Sequence, residues 1–87
     1  MEQEKTNVQK MLAFKSSIKN YLGCKVTFKY VTNESKTAVM KVSVMLKREL
    51  AMDVVKRGKE CGVYVDSIWH EDGCSYMKVR FTEYRSL

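Results

Sequence analysis

Residues 67–81, SIWHEDGCSYMKVRF, bring the chain's single Trp, its single His and one of its three Cys into one short stretch that ends in alternating basic and apolar residues. Such a set is open to three chemistries. A Cys and a His can form a nucleophilic pair if the imidazole meets the thiol. His70, Cys74, Cys61 and Cys24 together supply four soft or borderline donors, the number that zinc favours. Basic residues interleaved with rings suit single-stranded nucleic acid, because cations follow the phosphates while flat rings stack on the bases.

The first two have little support in the spacing. His70 and Cys74 flank a tight turn, where strand alternation need not bring sulfur and imidazole together, and nothing nearby resembles an oxyanion hole. No C-x-x-C or H-x-x-x-H preorganises a metal. Cys24 and Cys61 fall on apolar faces, where a thiol behaves as a small core residue, and Glu71 and Asp72 are ordinary turn residues. No phosphate-binding glycine loop, H-E-x-x-H, G-x-S-x-G or paired-carboxylate pattern occurs. The sequence thus predicts no catalytic residue, no metal and no cofactor.

The third chemistry depends on which residues share a surface, and hence on the elements that carry them. TNVQ at residues 6–9 matches a capping box, Thr6 with Gln9, and opens a helix on which Met11, Phe14, Ile18, Tyr21 and Leu22 share one arc before Gly23 stops it. Lys15 and Lys19 border that stripe, where long stems cover the core edge. CKVTFKYVT then alternates, with Cys24, Val26, Phe28 and Tyr30 on one side and Lys25, Thr27 and Lys29 on the other. After NESK, the stretch TAVMKVSVM alternates again, Ala38, Met40, Val42 and Val44 opposing Val39, Lys41 and Ser43, so the two strands form an antiparallel hairpin.

From Leu46 the period becomes helical. Leu46, Leu50, Ala51, Val54, Gly58 and Cys61 share an arc opposite Arg48, Glu49, Asp53, Lys56 and Glu60, and Gly62 ends the segment. Gly58 in mid-helix costs about 1 kcal/mol relative to Ala, which a fraying helix or a close backbone approach to the sheet would explain. A second hairpin turns at Asp72-Gly73, the pair suited to positive φ twice. In that register Trp69 faces Tyr76, Ser67 faces Lys78 and Val65 faces Arg80, while Ile68 faces Met77 and Tyr64 faces Phe81 on the other side. Asp66 then falls on the apolar side opposite Val79, a conflict that a bulge or a wet edge position relieves.

The order α-β-β-α-β-β, with no internal repeat, linker or low-complexity segment, predicts an α+β fold in two layers: an antiparallel four-stranded sheet with two helices on one face. Residues 1–87 make one small domain, with a frayed N-terminus over residues 1–5. The uncovered sheet face should display Lys25, Lys29, Lys41, Lys78 and Arg80 beside Trp69, Tyr76 and Tyr84, with no acid at the same strand positions. The same residue types are also ordinary on a solvent-facing strand, where a Trp-Tyr pair stabilises the hairpin without a ligand.

Sixteen Lys and Arg against ten Asp and Glu leave a formal charge of +6, which favours an anionic partner. Residues 1–22, 23–45, 46–62 and 63–87 carry +2, +3, +2 and −1. There is no basic tail, so a positive surface must be assembled by folding. An odd number of cysteines without a disulfide framework predicts a reducing, cytoplasmic location. No apolar run is long enough to span a bilayer, and the first residues do not resemble a secretory signal.

These observations favour a small non-enzymatic binding protein whose open face takes nucleic acid, single-stranded in preference, with low sequence specificity. No helix carries the Arg-Asn-Gln set of a major-groove reader, and SYMKVRFTEY lacks the Gly-aromatic consensus of the RNA-recognition motif. The alternative is a protein-interaction module, either a homodimer through the same face or a small regulator docking on an acidic protein surface.

Overall fold

The computed structural model describes residues 5–29 and 31–83. Residues 1–4, Tyr30 and Tyr84 lie outside them, so the predicted fraying of the first residues and the place of Tyr84 on the open face do too. The elements are α1 (Asn7–Leu22), β1 (Val26–Phe28), β2 (Thr37–Val42), α2 (Arg48–Glu60), β3 (Tyr64–Glu71) and β4 (Cys74–Arg80). The capping box forms as predicted. Thr6 Oγ1 accepts from the Gln9 amide at 3.2 Å and Gln9 Oε1 accepts from the Thr6 amide at 2.9 Å. Met11, Phe14 and Ile18 are fully buried and Leu22 packs beside them. Tyr21 leaves the predicted arc: it is exposed, its hydroxyl donates to Asp53 Oδ2 at 2.7 Å, and the Arg57 guanidinium lies 4.0 Å from its ring centroid. A phenol at the seam between two helices keeps a polar partner for its hydroxyl by staying outside the core.

The strands form one antiparallel sheet in the order β1-β2-β4-β3. β1 is shorter than the alternation from Cys24 onward suggests, although Cys24 and Phe28 still pack on the core. Asp72 (φ 52°) and Gly73 (φ 78°) take the two positive-φ positions of the β3–β4 turn. That turn sets Trp69 opposite Tyr76, Ser67 opposite Lys78 and Ile68 opposite Met77, as predicted. The register then shifts between Val65 and Ser67, so Val65 faces Val79 and Tyr64 faces Arg80, not Arg80 and Phe81. Asp66 is the extra residue. This bulge lets Val65 and Ile68 both pack on the core and spares a carboxylate from burial there.

Leu46 precedes α2 but is buried all the same. It is held by Ser75, a fully buried hydroxyl on β4 that accepts the Leu46 amide at 2.8 Å and donates to the Val44 carbonyl at 2.8 Å. Val54 and Gly58 are the buried residues of α2, and Gly58 packs closely on Phe14 of α1 and the Val63 carbonyl. The close approach thus involves the other helix and the chain leading into β3, rather than the body of the sheet.

Phe14, Ile18 and Val54 join Val26, Met40, Val42, Met77 and Val79 in one core, which places both helices on the same side of the sheet. Each half of the chain is an α-β-β unit, and the strand order β1-β2-β4-β3 is unchanged when one half is exchanged for the other. The fold therefore has a topological twofold between β2 and β4 that no sequence repeat announces. Among the described residues, no helix is long and apolar enough to cross a membrane.

Candidate functional site

The uncovered side of the sheet is built by alternation from the core outward. Because Met40, Val42, Met77 and Val79 are buried, Val39, Lys41, Tyr76 and Lys78 must stand on the opposite side. Strand pairing aligns Trp69, Tyr76, Lys41 and Thr27 in one line across β3, β4, β2 and β1. The Trp69 and Tyr76 rings stack with centroids 5.8 Å apart and planes 12° from parallel. Lys41 Nζ lies 5.9 Å from the Tyr76 centroid, within cation-π range. Trp69 remains 38% exposed, so this ring system offers an accessible face. The next line holds Ser67, Lys78 and Val39, and the one beyond it Tyr64, Arg80 and Thr37.

The predicted cations differ in their freedom. Lys41 and Lys78 are exposed on the two central strands. Lys25 and Lys29 are exposed just beyond the two ends of β1, extending by alternation the side that carries Thr27. Arg80 is engaged: its Nε donates to Asp66 Oδ1 at 2.8 Å, its Nη1 donates to the Thr82 carbonyl, and its guanidinium lies 5.3 Å from the Tyr64 centroid. The expectation of basic residues with no facing acid therefore fails at Arg80. The bulge that removes Asp66 from the core delivers it to this side, where it forms the one salt bridge among the described residues.

The residues behind the two sharper chemistries are employed elsewhere. His70 Nε2 lies 3.0 Å from the Leu46 carbonyl, joining Ser75 in holding the connection from β2 to α2. Cys24, Cys61 and Cys74 are free thiols, each partly buried. Burial pushes the Cys61 thiol above its ordinary pKa, with Lys5 opposing the shift and Glu60 adding to it. A thiol so raised is a weaker nucleophile at neutral pH. Among the described residues, no three His, Cys, Asp or Glu are gathered where they could hold a metal ion.

One feature was invisible in the periodicity. At the end of the sheet where β2 begins and β4 ends, an open basin of about 990 Å³ is lined by Lys5, Lys10, Lys36, Lys78 and Arg80. Three of these lysines lie outside the strands, so alternation cannot place them. Asn7 shapes the rim, its Nδ2 reaching the carbonyls of Thr32, Asn33 and Ser35 at 3.3, 3.2 and 2.7 Å and so fastening the β1–β2 connection to α1. Comparison of the chain with family models, with curated proteins and with solved structures found no match, which leaves the arrangement of these residues to carry the functional reading.

Proposed function

We propose that this protein binds single-stranded nucleic acid across the open face of its sheet, by electrostatic capture and ring stacking, with low sequence specificity and without catalysis. The observation that carries this reading is the line of Trp69, Tyr76 and Lys41 on a sheet face that neither helix covers. A preformed stack offers a base a flat partner at little cost in side-chain ordering, and each base so stacked is worth about 1–3 kcal/mol. Lys41 and Lys78 supply charge beside it, and the +6 chain attracts a polyanion over a longer range. Rings are indifferent to base identity, hence the low specificity.

The test is fluorescence anisotropy of labelled single-stranded DNA, duplex DNA and RNA over a salt series, with Trp69→Ala and Lys41→Glu/Lys78→Glu in parallel. The expected result is a preference for single strands, a steep log-linear loss with salt, and weakening by both variants while they remain folded. Absence of binding to all three at low salt would overturn the reading.

A second reading has its own observation. Val39, 41% exposed on central strand β2, lies on the same face as Trp69 and gives it an apolar centre suited to pairing with another protein, a second copy included. Sedimentation velocity separates the two: a face-to-face dimer forms without ligand, shifts Trp69 emission with protein concentration, and depends only weakly on salt. An acidic partner protein is the remaining form of this alternative.

A further inference from the structure

Among the described residues, the basin at the β1–β2 end of the sheet is lined by five cations and one acid. Lys5 and Lys10 reach it from the start of α1, Lys36 from the connection into β2, and Lys78 and Arg80 from β4. The one acid among its lining residues, Asp66, is bound to Arg80 at 2.8 Å. Among the described residues, Lys5, Lys36 and Lys78 therefore line this concave space with no ion pair of their own, and an anion entering it would relieve their mutual repulsion.

The cations are held there by structure. The Asn7 side chain pins the carbonyls of Thr32, Asn33 and Ser35, which carries Lys36 to the side of α1. The Lys10 stem lies against Gly62, where an added Cβ would sit 3.2 Å from its Cε, and its Nζ reaches the Phe81 carbonyl at 3.3 Å. The capping box engages the Thr6 and Gln9 amides at the start of α1, and the lysines supply the formal positive charge that would attract an anion.

The basin also opens onto the proposed binding face. Lys78, Ser67, Thr37 and Arg80 line it and also form the lines of the open face next to Trp69 and Tyr76. We propose that it holds two or more consecutive phosphate groups, supplied by the backbone of a single strand as that strand leaves the stacking rings and turns over the end of the sheet. This rests on the nucleic-acid reading of the open face, and it assigns Lys5 and Lys36 to a ligand that the rings alone would not bring to them.

The experiment uses the full chain and Lys5→Gln/Lys36→Gln, two exposed positions whose replacement leaves the core and the Asn7 clasp untouched. The probes are oligothymidylates of about 4 and about 12 nucleotides, which bracket common single-strand site sizes, together with inorganic tripolyphosphate measured by calorimetry. For the longer strand, the variant should lower the slope of log K against log salt by about 1.4, from about 0.7 per lost phosphate contact. The shorter strand should keep its slope and its quenching of Trp69, and tripolyphosphate should bind the wild type but not the variant. An unchanged slope with the longer strand, or unchanged tripolyphosphate affinity, would overturn the basin while leaving the open face standing. Lys36-dependent binding of tripolyphosphate without binding of either oligonucleotide would overturn both the open-face reading and the strand as the source of the phosphates.

Discussion

Gly58 and Phe14 occupy one space between the two helices: a Cβ added at Gly58 would lie 3.0 Å from Phe14 Cζ and 2.8 Å from the Val63 carbonyl oxygen. Alanine gains about 1 kcal/mol over glycine in helix propensity, whereas forcing atoms into a packed core costs about 1–3 kcal/mol. The backbone carbonyl cannot swing aside as a flexible side chain would, so the steric cost prevails. Gly58→Ala should destabilise the protein, seen as a lower urea midpoint at constant m. A raised midpoint would show that α1 can slide away from α2.

Ser75→Ala should cost more than a surface serine would. The hydroxyl serves the Leu46 amide and the Val44 carbonyl at once, and its loss leaves buried groups short of a partner at about 1–3 kcal/mol. Hydrogen exchange should also speed at the Leu46 amide relative to the amides of α1. Stability within experimental error of the wild type would sink this account of the β2–α2 connection.

Lys47 is the N-cap of α2 and makes no side-chain capping bond, while its charge opposes the helix dipole. Lys47→Asp supplies both a cap acceptor and the favourable sign. The expected gain is about 1 kcal/mol, measured by urea unfolding, with thermal melting moving the same way.

Tyr21 predicts an alkaline dependence. The hydrogen bond to Asp53 raises its pKa above the ordinary 10.0, with smaller raising contributions from burial and the Asp53 charge and an opposing one from Arg57. A folded pKa above the unfolded one gives stability that is fully present below the unfolded value and is lost as pH rises through the folded value. Tyr21→Phe should therefore flatten the fall in stability as pH rises above the tyrosine reference value of about 10. Equal slopes for the two proteins would remove Tyr21 from the helix seam.

Asp66→Asn should tighten binding of a single strand. It removes the negative charge that Arg80 Nε holds at 2.8 Å, leaving the guanidinium's charge on the open face to be met by phosphate. The salt slope should steepen by up to about 0.7, one added phosphate contact. Weaker binding in the folded variant would mean that Asp66 orients Arg80 for its ligand instead of occupying it.

Much of the architecture was legible because short-range pattern determines it. The capping box, the apolar arc through Phe14 and the Asp72-Gly73 turn each act within a few residues and identify the first helix and the second hairpin, as the arc through Val54 identifies the second helix. What escaped depends on partners far along the chain. Ser75 meets the β2–α2 connection at a separation of 29 to 31 residues, and a lone serine in an alternating strand carries no sign of such a partner. Tyr21 was placed on the apolar arc by its spacing, yet it stays exposed and bonds Asp53, 32 residues away. Asp66 announced a conflict with the apolar face, and the bulge resolved it, yet the same sequence did not say that Arg80 would receive the displaced carboxylate. The open face of Trp69, Tyr76, Lys41 and Lys78 could be drawn from alternation, whereas the basin needed Lys5, Lys36 and Lys78 to meet in space.

The twofold exchange of halves has a consequence for how the chain can be threaded. Lys5 and Thr82, at the two ends of the described chain, border the same basin. A circular permutant joined there by a short flexible linker and opened beside Lys47 would run α2-β3-β4-α1-β1-β2, the same succession of element types in the opposite order of halves. In the succession of elements and the order of strands, the two halves are thus interchangeable.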